Sequence, residues 1–323
     1  MQCHASNLLI ASNGTRMVVF FAGTKEAHPD TSIMIVVSRD GMYWSKPRTV
    51  AKIAGIAHWN PVLTEQSDGK VQLYFKTGNT PSSWKTHRMI LWGFSDELKD
   101  QNEVARGPVR SSILKTKSGV WIAPASHEVV LKTTSNAWRP NVIWDSFVDR
   151  SEDEGETWQR TEFIPYDRER FGEFGGTIQP TLWESSPGNI HMLLRSTIKK
   201  ICRSDSSDCG KTWSPIETID LPNNNSGIDI SKNPNTGALA LVYNPVGADW
   251  GARTPISVAF SKGEGRDWAL PVEIEGGQGS FSYPSVAPLG DGFAVTYTWN
   301  RTNIRYVEFE QKNKRKNYEH TKG

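Results

Sequence analysis

Short apolar segments rich in β-branched and aromatic residues recur six times along the chain, each directly after a tight turn that contains glycine. The turn glycines are Gly14, Gly69, Gly119, Gly188, Gly237 and Gly292, at spacings of 55, 50, 69, 49 and 55 residues. A shorter apolar segment precedes each turn and another follows in most units, which predicts hairpins extended by further strands. A period of this length with about four strands per unit is typical of propeller blades. The pattern therefore predicts an all-β, six-bladed β-propeller in a single domain, residues 1–310.

The last unit supplies fewer strand segments than the others. Only three are visible, at Tyr283–Leu289, Phe293–Asn300 and Asn303–Phe309. We therefore predict an incomplete sixth blade. The remaining residues, 311–323, are polar and basic, and a segment with so few apolar side chains is expected to be disordered.

A second motif follows the third strand of several units. Ser151–Trp158 and Ser206–Trp213 both match S-x-D-x-G-x-T-W, and Ser38–Trp44 and Ser261–Trp268 match it in part. Such a segment predicts a turn in which the Asp caps backbone N–H groups, the Gly adopts a positive φ and the Trp packs between blades. The motif is the Asp box, or BNR repeat, and the chain resembles the sialidase superfamily over almost its whole length. The resemblance implies a sialidase-like propeller.

Composition and charge narrow the classes of partner. The chain has 37 Lys and Arg against 35 Asp and Glu, a net charge of +2, so no overall field favours nucleic acid or an anionic membrane. Its longest apolar runs, Met17–Ala22 and Ile33–Val37, are too short to span a bilayer. No charged start leads into an apolar stretch, so we expect no signal peptide in this sequence. The compartment stays open: cytoplasmic, or secreted from a longer precursor.

No cofactor or metal is expected from the motifs. The sequence has no phosphate-binding loop, no dinucleotide fingerprint and no metal-spaced His/Cys cluster. Its three cysteines, Cys3, Cys202 and Cys209, form neither a disulfide framework nor a metal set.

Equivalent positions in the six units place polar residues at one face of the propeller. The residues nine before each turn glycine are Ala5, Asn60, Arg110, Gln179, Ile228 and Tyr283. The residues seven after it are Phe21, Lys76, Ser126, Arg195, Asn244 and Trp299. Core positions are expected to be apolar, so polar side chains converging on the mouth of a propeller predict a ligand site.

Comparison with sialidases gives several of these residues an expected role. Sialidases resemble the chain around a strand pair in which a Glu precedes Pro and an Arg ends the next strand, and here the pair reads Gln179-Pro180 and Arg195. The resemblance implies that Arg195 binds a carboxylate, that Tyr283 lies on the blade of the tyrosine nucleophile and that Arg253 is a further triad arginine. It also implies that Asp30 is the acid/base. His4 stands near the position of the first triad arginine, and Gln179 carries no charge to activate the tyrosine, so a standard retaining sialidase is not expected.

The candidate site residues fall into two groups. Catalytic candidates are His4 and Tyr283, which can transfer protons, and the acids Asp30 and Glu26. Substrate-binding candidates are Arg195, Arg253, Lys76, Asn60, Arg110, Gln179, Asn244, Trp299 and Arg301, whose cationic members can hold a carboxylate.

Three functions remain open at this stage, and each has an acidic oligosaccharide or polysaccharide as its partner. The first is an exo-acting glycoside hydrolase for a terminal sialic or uronic acid. The second is a polysaccharide lyase that cleaves a uronate linkage of the rhamnose-glucuronate type by β-elimination. The third is a glycan-binding propeller without catalysis. The oligomeric state is left open by the sequence.

Overall fold

Strands make up most of the chain, with a single turn of α-helix. A computed structural model describes residues 1–92, 95–99, 105–131 and 141–310. Within these ranges the helical segments are α1 (Arg168–Phe171) and a 3-10 turn at Pro81–Ser83. No helix in the described part of the chain is long and apolar enough to cross a membrane. The predicted disorder of residues 311–323 lies outside the described residues.

The described strands form six antiparallel units in chain order, of which the third and fourth join into one eight-stranded sheet through a short parallel pairing, and this confirms the predicted all-β propeller-like fold. Units one and two contain β1 (Gln2–Ile10), β2 (Arg16–Gly23), β3 (Ser32–Ser38) and β4 (Arg48–Ala51), then β5 (His58–Glu65), β6 (Val71–Thr77), β7 (Lys85–Trp92) and β8 (Ser95–Lys99). Units three and four contain β9 (Leu114–Lys115), β10 (Trp121–Val130), β11 (Val142–Ser151) and β12 (Gln159–Arg160), then β13 (Gly175–Ser186), β14 (Asn189–Ser196), β15 (Lys200–Ser206) and β16 (Glu217–Pro222). Units five and six contain β17 (Asp229–Lys232), β18 (Ala238–Tyr243), β19 (Ile256–Lys262) and β20 (Val272–Glu275), then β21 (Phe281–Leu289), β22 (Gly292–Trp299) and β23 (Asn303–Phe309).

The sixth blade has three strands among the described residues, in the order β21-β22-β23. The ring nevertheless closes on blade one. The backbone N–H of Cys3 donates to the carbonyl of Arg301 at 2.8 Å, and Leu8 and Phe20 of blade one share an apolar cluster with Ala294 of blade six.

The hydrophobic core lies between neighbouring blades, because each strand alternates its side chains between the two faces of its sheet. Between blades one and two, for example, Val19 and Phe21 pack with Leu73 and Phe75. Similar clusters join the other blades, so the apolar faces are buried around the ring while the strand ends are left to form the two rims.

The first strand of four blades carries the same irregularity. Ala5, Asn60, Gln179 and Tyr283 have φ values of 55°, 38°, 53° and 55°, and the strand pairing shifts register at each of them. These are β-bulges, in which an extra residue bends the strand and redirects the neighbouring side chains. Bulges are common next to functional sites, and these four lie at one rim.

The Asp boxes form the turns that their sequence predicts, on the opposite rim. In the first full copy, Asp153 accepts hydrogen bonds from the backbone N–H of Thr157 at 2.8 Å and from its hydroxyl at 2.6 Å. Trp158 donates from Nε1 to the carbonyl of Gly155 at 3.1 Å. The second copy repeats these bonds with Asp208 and Thr212.

Candidate functional site

A cavity of about 250 Å³ opens at the rim that carries the four bulges. It is lined by Glu26, Trp59, Asn60, Pro81, Trp84, Arg106, Val109, Ser126, Glu128, Trp144, Ile178, Gln179, Arg195, Trp250, Arg253, Tyr283 and Arg301. Starts of first strands, ends of second strands and the adjoining loops contribute these residues, so the sequence register locates the rim correctly.

Tyr283 occupies a bulge in this cavity, and its hydroxyl is held by an arginine. Arg195 donates from Nη1 to Tyr283 Oη at 2.9 Å and to Gln179 Oε1 at 3.1 Å. Its Nε donates to Asn225 Oδ1 at 2.7 Å, which fixes the plane of the guanidinium. Gln179 therefore contacts the same guanidinium as the tyrosine.

The pKa of Tyr283 is lowered from its ordinary value. Burial alone would raise the pKa of this phenol, but the positive charges of Arg195 and Arg253 outweigh burial because they stabilise the phenolate. The Arg253 guanidinium carbon lies 5.4 Å from the centroid of the Tyr283 ring. The two guanidiniums thus make this phenol a stronger acid than its burial and the charge of Glu26 would leave it.

Two further arginines of the pocket differ in the type of group to which they donate. Arg253 makes one side-chain hydrogen bond within the described ranges, from Nη1 to Ser282 Oγ at 3.4 Å. Arg301 donates to Glu26 Oε2 at 2.6 Å. Each guanidinium therefore uses one N–H group, but of the two only Arg301 is paired with a carboxylate, so the charge of Arg253 is left for a ligand.

Glu128 is a carboxyl group of the pocket with a raised pKa. Burial is the main cause, opposed by Trp144 and by the positive charges of Arg195 and Arg106. A carboxyl whose pKa is raised by an apolar environment can stay protonated and act as a general acid.

Four tryptophans form the walls of the cavity. Trp59 and Trp84 lie with ring centroids 5.5 Å apart, and Trp144 and Trp250 complete the set. Trp250 is 50% exposed, and the guanidinium carbon of Arg195 lies 5.7 Å from the centroid of its ring. Arg106 supports the Trp84 segment because its guanidinium donates to three backbone carbonyls, including that of Trp84 at 3.1 Å.

Seven of the predicted site residues line this cavity. They are Glu26, Asn60, Gln179, Arg195, Arg253, Tyr283 and Arg301. The other six lie outside the lining, and hydrogen bonds or burial elsewhere in the protein account for each of them.

His4 and Arg110 lie behind Tyr283. The His4 ring packs against the tyrosine ring at a tilt of 47° with centroids 4.2 Å apart, and its Nδ1 is hydrogen-bonded to Thr298 Oγ1 at 2.9 Å. Burial, together with the positive charges of the surrounding arginines, lowers the pKa of His4 well below its ordinary value, so the ring is neutral near pH 7. Arg110 is 3% exposed and donates to the carbonyls of Pro284 and Ile228. Both residues support Tyr283 from inside rather than facing the cavity.

Lys76 and Asn244 are buried and paired. The Lys76 ammonium donates to Thr86 Oγ1 at 2.7 Å and to the carbonyl of Arg106, and burial lowers its pKa well below the ordinary value. The Asn244 amide donates to the carbonyls of Pro255 and Phe281 at 2.8 and 2.9 Å.

Asp30 and Trp299 lie away from the cavity as well. Asp30 is held by the backbone N–H and hydroxyl of Thr24, and these hydrogen bonds lower its pKa to about 2, so it is a carboxylate at neutral pH rather than a proton donor. Trp299 donates from Nε1 to Glu275 Oε1 at 2.8 Å.

The sequence analysis missed Arg106, Glu128 and the four tryptophans. A signal for Glu128 was present: it lies two residues after Ser126 in β10, and alternation puts such residues on the same face of a strand. Trp144 is the cross-strand partner of Glu128 in β11. Trp250 lies in a loop, where strand register gives no guidance.

In the part of the chain that the structure describes, no three His, Cys, Asp or Glu side chains are grouped to hold a metal ion.

A propeller with an arginine-rich pocket at one rim is the class that this fold and site define. The family model for the BNR repeat-like domain matches residues 14–295, and the chain belongs to this family. No curated protein sequence matches it.

Solved structures share the fold at low sequence identity. A protein of unknown function from Dyadobacter fermentans is 16% identical with a TM-score of 0.71, over 93% of this chain and 91% of that one. The NanB sialidase from Streptococcus pneumoniae is 14% identical with a TM-score of 0.70, over 95% of this chain and 68% of that one. Trypanosoma rangeli sialidase is 12% identical with a TM-score of 0.68, and the matched region is 95% of this chain but 54% of that one. At these identities the likeness establishes the fold.

Proposed function

We propose that the protein is an exo-acting glycoside hydrolase that removes a terminal sugar bearing a carboxylate. The observation that carries the proposal is the convergence of Arg195 and Arg253 on Tyr283 in a cavity that also contains Glu128. This set offers a cation pair for a carboxylate, a nucleophile and a proton donor within one pocket.

Recognition of the carboxylate is assigned to Arg253 and Arg195. Guanidinium groups bind carboxylates through paired N–H bonds, and Arg253 spends only one of its N–H groups on a long bond to Ser282. Hydrogen bonds to Asn225 and Gln179 orient the Arg195 guanidinium, so its positive charge has a fixed position in the cavity.

Tyr283 is assigned the nucleophile. Tyrosine nucleophiles occur in sialidases. Here Gln179 stands where sialidases have a carboxylate to accept the phenol proton, and we assign the activation of the phenol to Arg195 and Arg253, whose charges lower its pKa. In the proposed reaction the Tyr283 oxygen attacks the anomeric carbon, Glu128 protonates the departing oxygen, and water then cleaves the glycosyl-tyrosine.

The size of the cavity supports action at a chain end. At about 250 Å³ it falls below the roughly 300–1,000 Å³ typical of pockets for drug-sized ligands, so it suits one sugar ring.

A second candidate function, β-elimination from a uronate, is favoured by Gln179 and by the packing of His4. With a guanidinium neutralising the sugar carboxylate, a Tyr283 phenolate can remove the C5 proton while Glu128 protonates the leaving oxygen. The neutral His4 ring, whose centroid lies 4.2 Å from that of Tyr283, would hold the phenolate in place without competing for the proton.

Mass spectrometry of the products tests both functions. The protein is incubated with sialosides and with glucuronate-capped oligosaccharides. Hydrolysis gives products whose masses exceed the parent by one water, whereas elimination gives fragments that sum to the parent mass, one of them unsaturated. We expect hydrolysis. Absence of any product from all acidic glycans contradicts both functions and leaves a glycan-binding propeller.

Tyr283→Phe ties the activity to this pocket. Removing the phenol oxygen abolishes nucleophile and base alike, so the rate should fall on the order of 10³-fold or more. Tyr243→Phe is the matched control, because the Tyr243 hydroxyl is buried without a hydrogen-bond partner and lies outside the cavity lining. Equal rates for the two variants would contradict the assignment.

A further inference from the structure

A second group of catalytic residue types lies in blade four, near the turn rim and away from the arginine-rich cavity. Ser185 is at the end of β13, His191 in β14 and Asp205 in β15, on three adjacent strands. Ser185 Oγ lies 2.7 Å from His191 Nε2, and His191 Nδ1 lies 2.7 Å from Asp205 Oδ1. Hydroxyl, imidazole and carboxylate are thus connected in the order that activates a serine nucleophile.

The hydrogen bonds favour the tautomer that such catalysis needs. Two groups contact His191 Nδ1: the Asp205 carboxylate, which only accepts, at 2.7 Å, and the Arg203 nitrogen Nη2, which only donates, at 3.0 Å. An ionised carboxylate only accepts hydrogen bonds, so the shorter contact places the ring proton on Nδ1. Nε2 is then a lone-pair acceptor that faces the Ser185 hydroxyl.

The base and its carboxylate are held rigidly. His191 is 5% exposed and stacks on the Trp183 ring with centroids 5.0 Å apart. Arg203 donates from Nε to both oxygens of Asp205, at 2.9 and 3.1 Å, and from Nη1 to the carbonyl of Gly265 at 2.9 Å. Ser185 itself is partly exposed, so the nucleophile is the accessible member.

A cation lies beside the serine. The Lys232 ammonium donates to the carbonyl oxygens of Glu184 and Ser185 at 2.9 and 2.8 Å, which uses two of its three N–H bonds. In the proposed site the third would donate to the oxyanion. Lys232, Trp183 and Glu184 also line a second cavity of about 350 Å³, and the lining ends at Glu184, one residue before the serine.

We propose that Ser185, His191 and Asp205 form a second active site, which hydrolyses carboxylic esters. Ser185 Oγ bonds to the acyl carbon while its proton passes to His191 Nε2. The bond from acyl carbon to alkoxy oxygen then breaks, and the alkoxide leaves with that proton. Water cleaves the acyl-serine in a second step, so one ester and one water give one acid and one alcohol, with no oxidant or reductant.

Labelling of the full-length chain with a fluorophosphonate tests this site, because such probes bond only to activated serines. We expect one adduct per chain by intact mass, mapped to Ser185 by peptide analysis, and turnover of a nitrophenyl acyl ester. Ser185→Ala should lose both. Ser186→Ala is the matched control, since the Ser186 hydroxyl accepts from the Asn189 amide and contacts no histidine; it should label as the parent does.

The variant His191→Gln tests whether His191 acts as the base or only stabilises the fold. If the imidazole is the base, the labelling rate should fall by at least about 100-fold while the melting temperature stays near that of the parent. Labelling of His191→Gln at the parent rate, an adduct on another residue, or no adduct beyond that of Ser185→Ala would overturn the proposal. These readouts do not involve the arginine-rich cavity, so they are independent of the function proposed for it.

Discussion

The pKa shifts of single residues in the pocket depend on the balance between burial and neighbouring charges. A tyrosine phenol is a weak acid in water, and burial raises its pKa further. The charges of Arg195 and Arg253 outweigh burial, so the pKa of Tyr283 is lowered. The pKa of Glu128 is raised instead, because burial of this carboxyl outweighs the positive charges of Arg195 and Arg106. A phenol inclined to ionise and a carboxyl inclined to keep its proton thus meet in one cavity, the separation of roles that acid–base catalysis needs.

Arg253→Met should raise the pKa of Tyr283. One of the two charges that stabilise the phenolate is lost, so the acidic limb of the rate profile is expected to move to higher pH by roughly one to two pH units. The tyrosinate absorbance of the variant, with the Tyr283→Phe spectrum subtracted, measures the same shift without substrate. Arg305→Met, which removes an exposed arginine stacked on Trp299, is the control. An unchanged titration in Arg253→Met contradicts the electrostatic account.

Glu128→Gln should slow the reaction selectively. The amide cannot donate the proton that a poor leaving group requires, so the rate on a natural glycan is expected to fall about 10²- to 10⁴-fold. A nitrophenyl glycoside, whose leaving group needs no proton, should be affected far less. Comparison of kcat/KM for the two substrates measures the effect, with the exposed Glu162→Gln as control. Equal losses on both substrates would assign Glu128 to binding instead.

At the scale of strands, the repeated β-bulge directs residues at equivalent positions of several blades into the cavity. Four first strands adopt a positive φ at the residue nine before their turn, and three of those residues, Asn60, Gln179 and Tyr283, line the cavity. The fourth, Ala5, packs in the core between blades one and two. The bulge lets neighbours such as Trp59 and Asn60 both reach the pocket, which strict alternation in a regular strand would forbid.

Asn60→Val should therefore destabilise the fold relative to Asn60→Gly. A β-branched residue is an outlier at a φ of 38°, whereas glycine adopts it freely, and we expect a difference of about 1–2 kcal/mol in favour of glycine. At Thr64, a regular position of the same strand, the order should be reversed because glycine weakens a strand. Denaturant midpoints for the four variants measure this, and the same order at both sites would rule out backbone strain as the cause.

The sequence predicts strands and blades well but only part of the pocket. Glycine turns, alternating apolar residues and Asp boxes are local signals, so the architecture follows from them. Counting from each turn also finds Asn60, Gln179, Arg195 and Tyr283. The same count wrongly assigns Lys76 and Asn244 to the cavity. It does not reveal that the Lys76 ammonium and the Asn244 amide already donate to buried backbone carbonyls. Trp250 and Arg106 lie on loops whose path depends on contacts between blades, and no local pattern reports those.

On the scale of the whole molecule, a few buried polar side chains connect the blades around the axis. Asn7 of blade one accepts from the N–H of Leu63 in blade two at 2.8 Å and donates to Ser112 at 3.0 Å. Asp229 of blade five accepts from Thr181 Oγ1 of blade four at 2.7 Å and from the N–H of Val286 of blade six at 3.0 Å. These bonds fix the first strands relative to one another, and hence the rim.

Arg110→Met should destabilise the protein, and more so as the pH rises. Asp229 has a pKa raised by burial, and the Arg110 guanidinium opposes that effect. Without it the pKa of folded Asp229 rises further above its unfolded value, so the folded state binds the extra proton and stability falls as the pH increases. We expect a loss of about 3–5 kcal/mol at pH 7 and a smaller one near pH 5, measured by denaturant unfolding.

The double variant Arg110→Met with Asp229→Asn is the control for that loss. It removes the unpaired charge as well as its partner, so much of the stability at neutral pH should return. A loss in Arg110→Met that is the same at both pH values would mean that packing, not charge, accounts for the role of Arg110.

The glycine turns have a practical consequence for handling the molecule. Side-chain atoms added at Gly14, Gly69, Gly119, Gly237 or Gly290 would meet nothing within 4 Å, and all five turns lie at the rim opposite the arginine-rich cavity. A fusion tag, fluorophore or surface tether inserted there leaves the cavity mouth facing outward. The propeller can therefore be displayed in a defined orientation on a sensor chip or bead, with every copy presenting its pocket to glycans in the flowing phase.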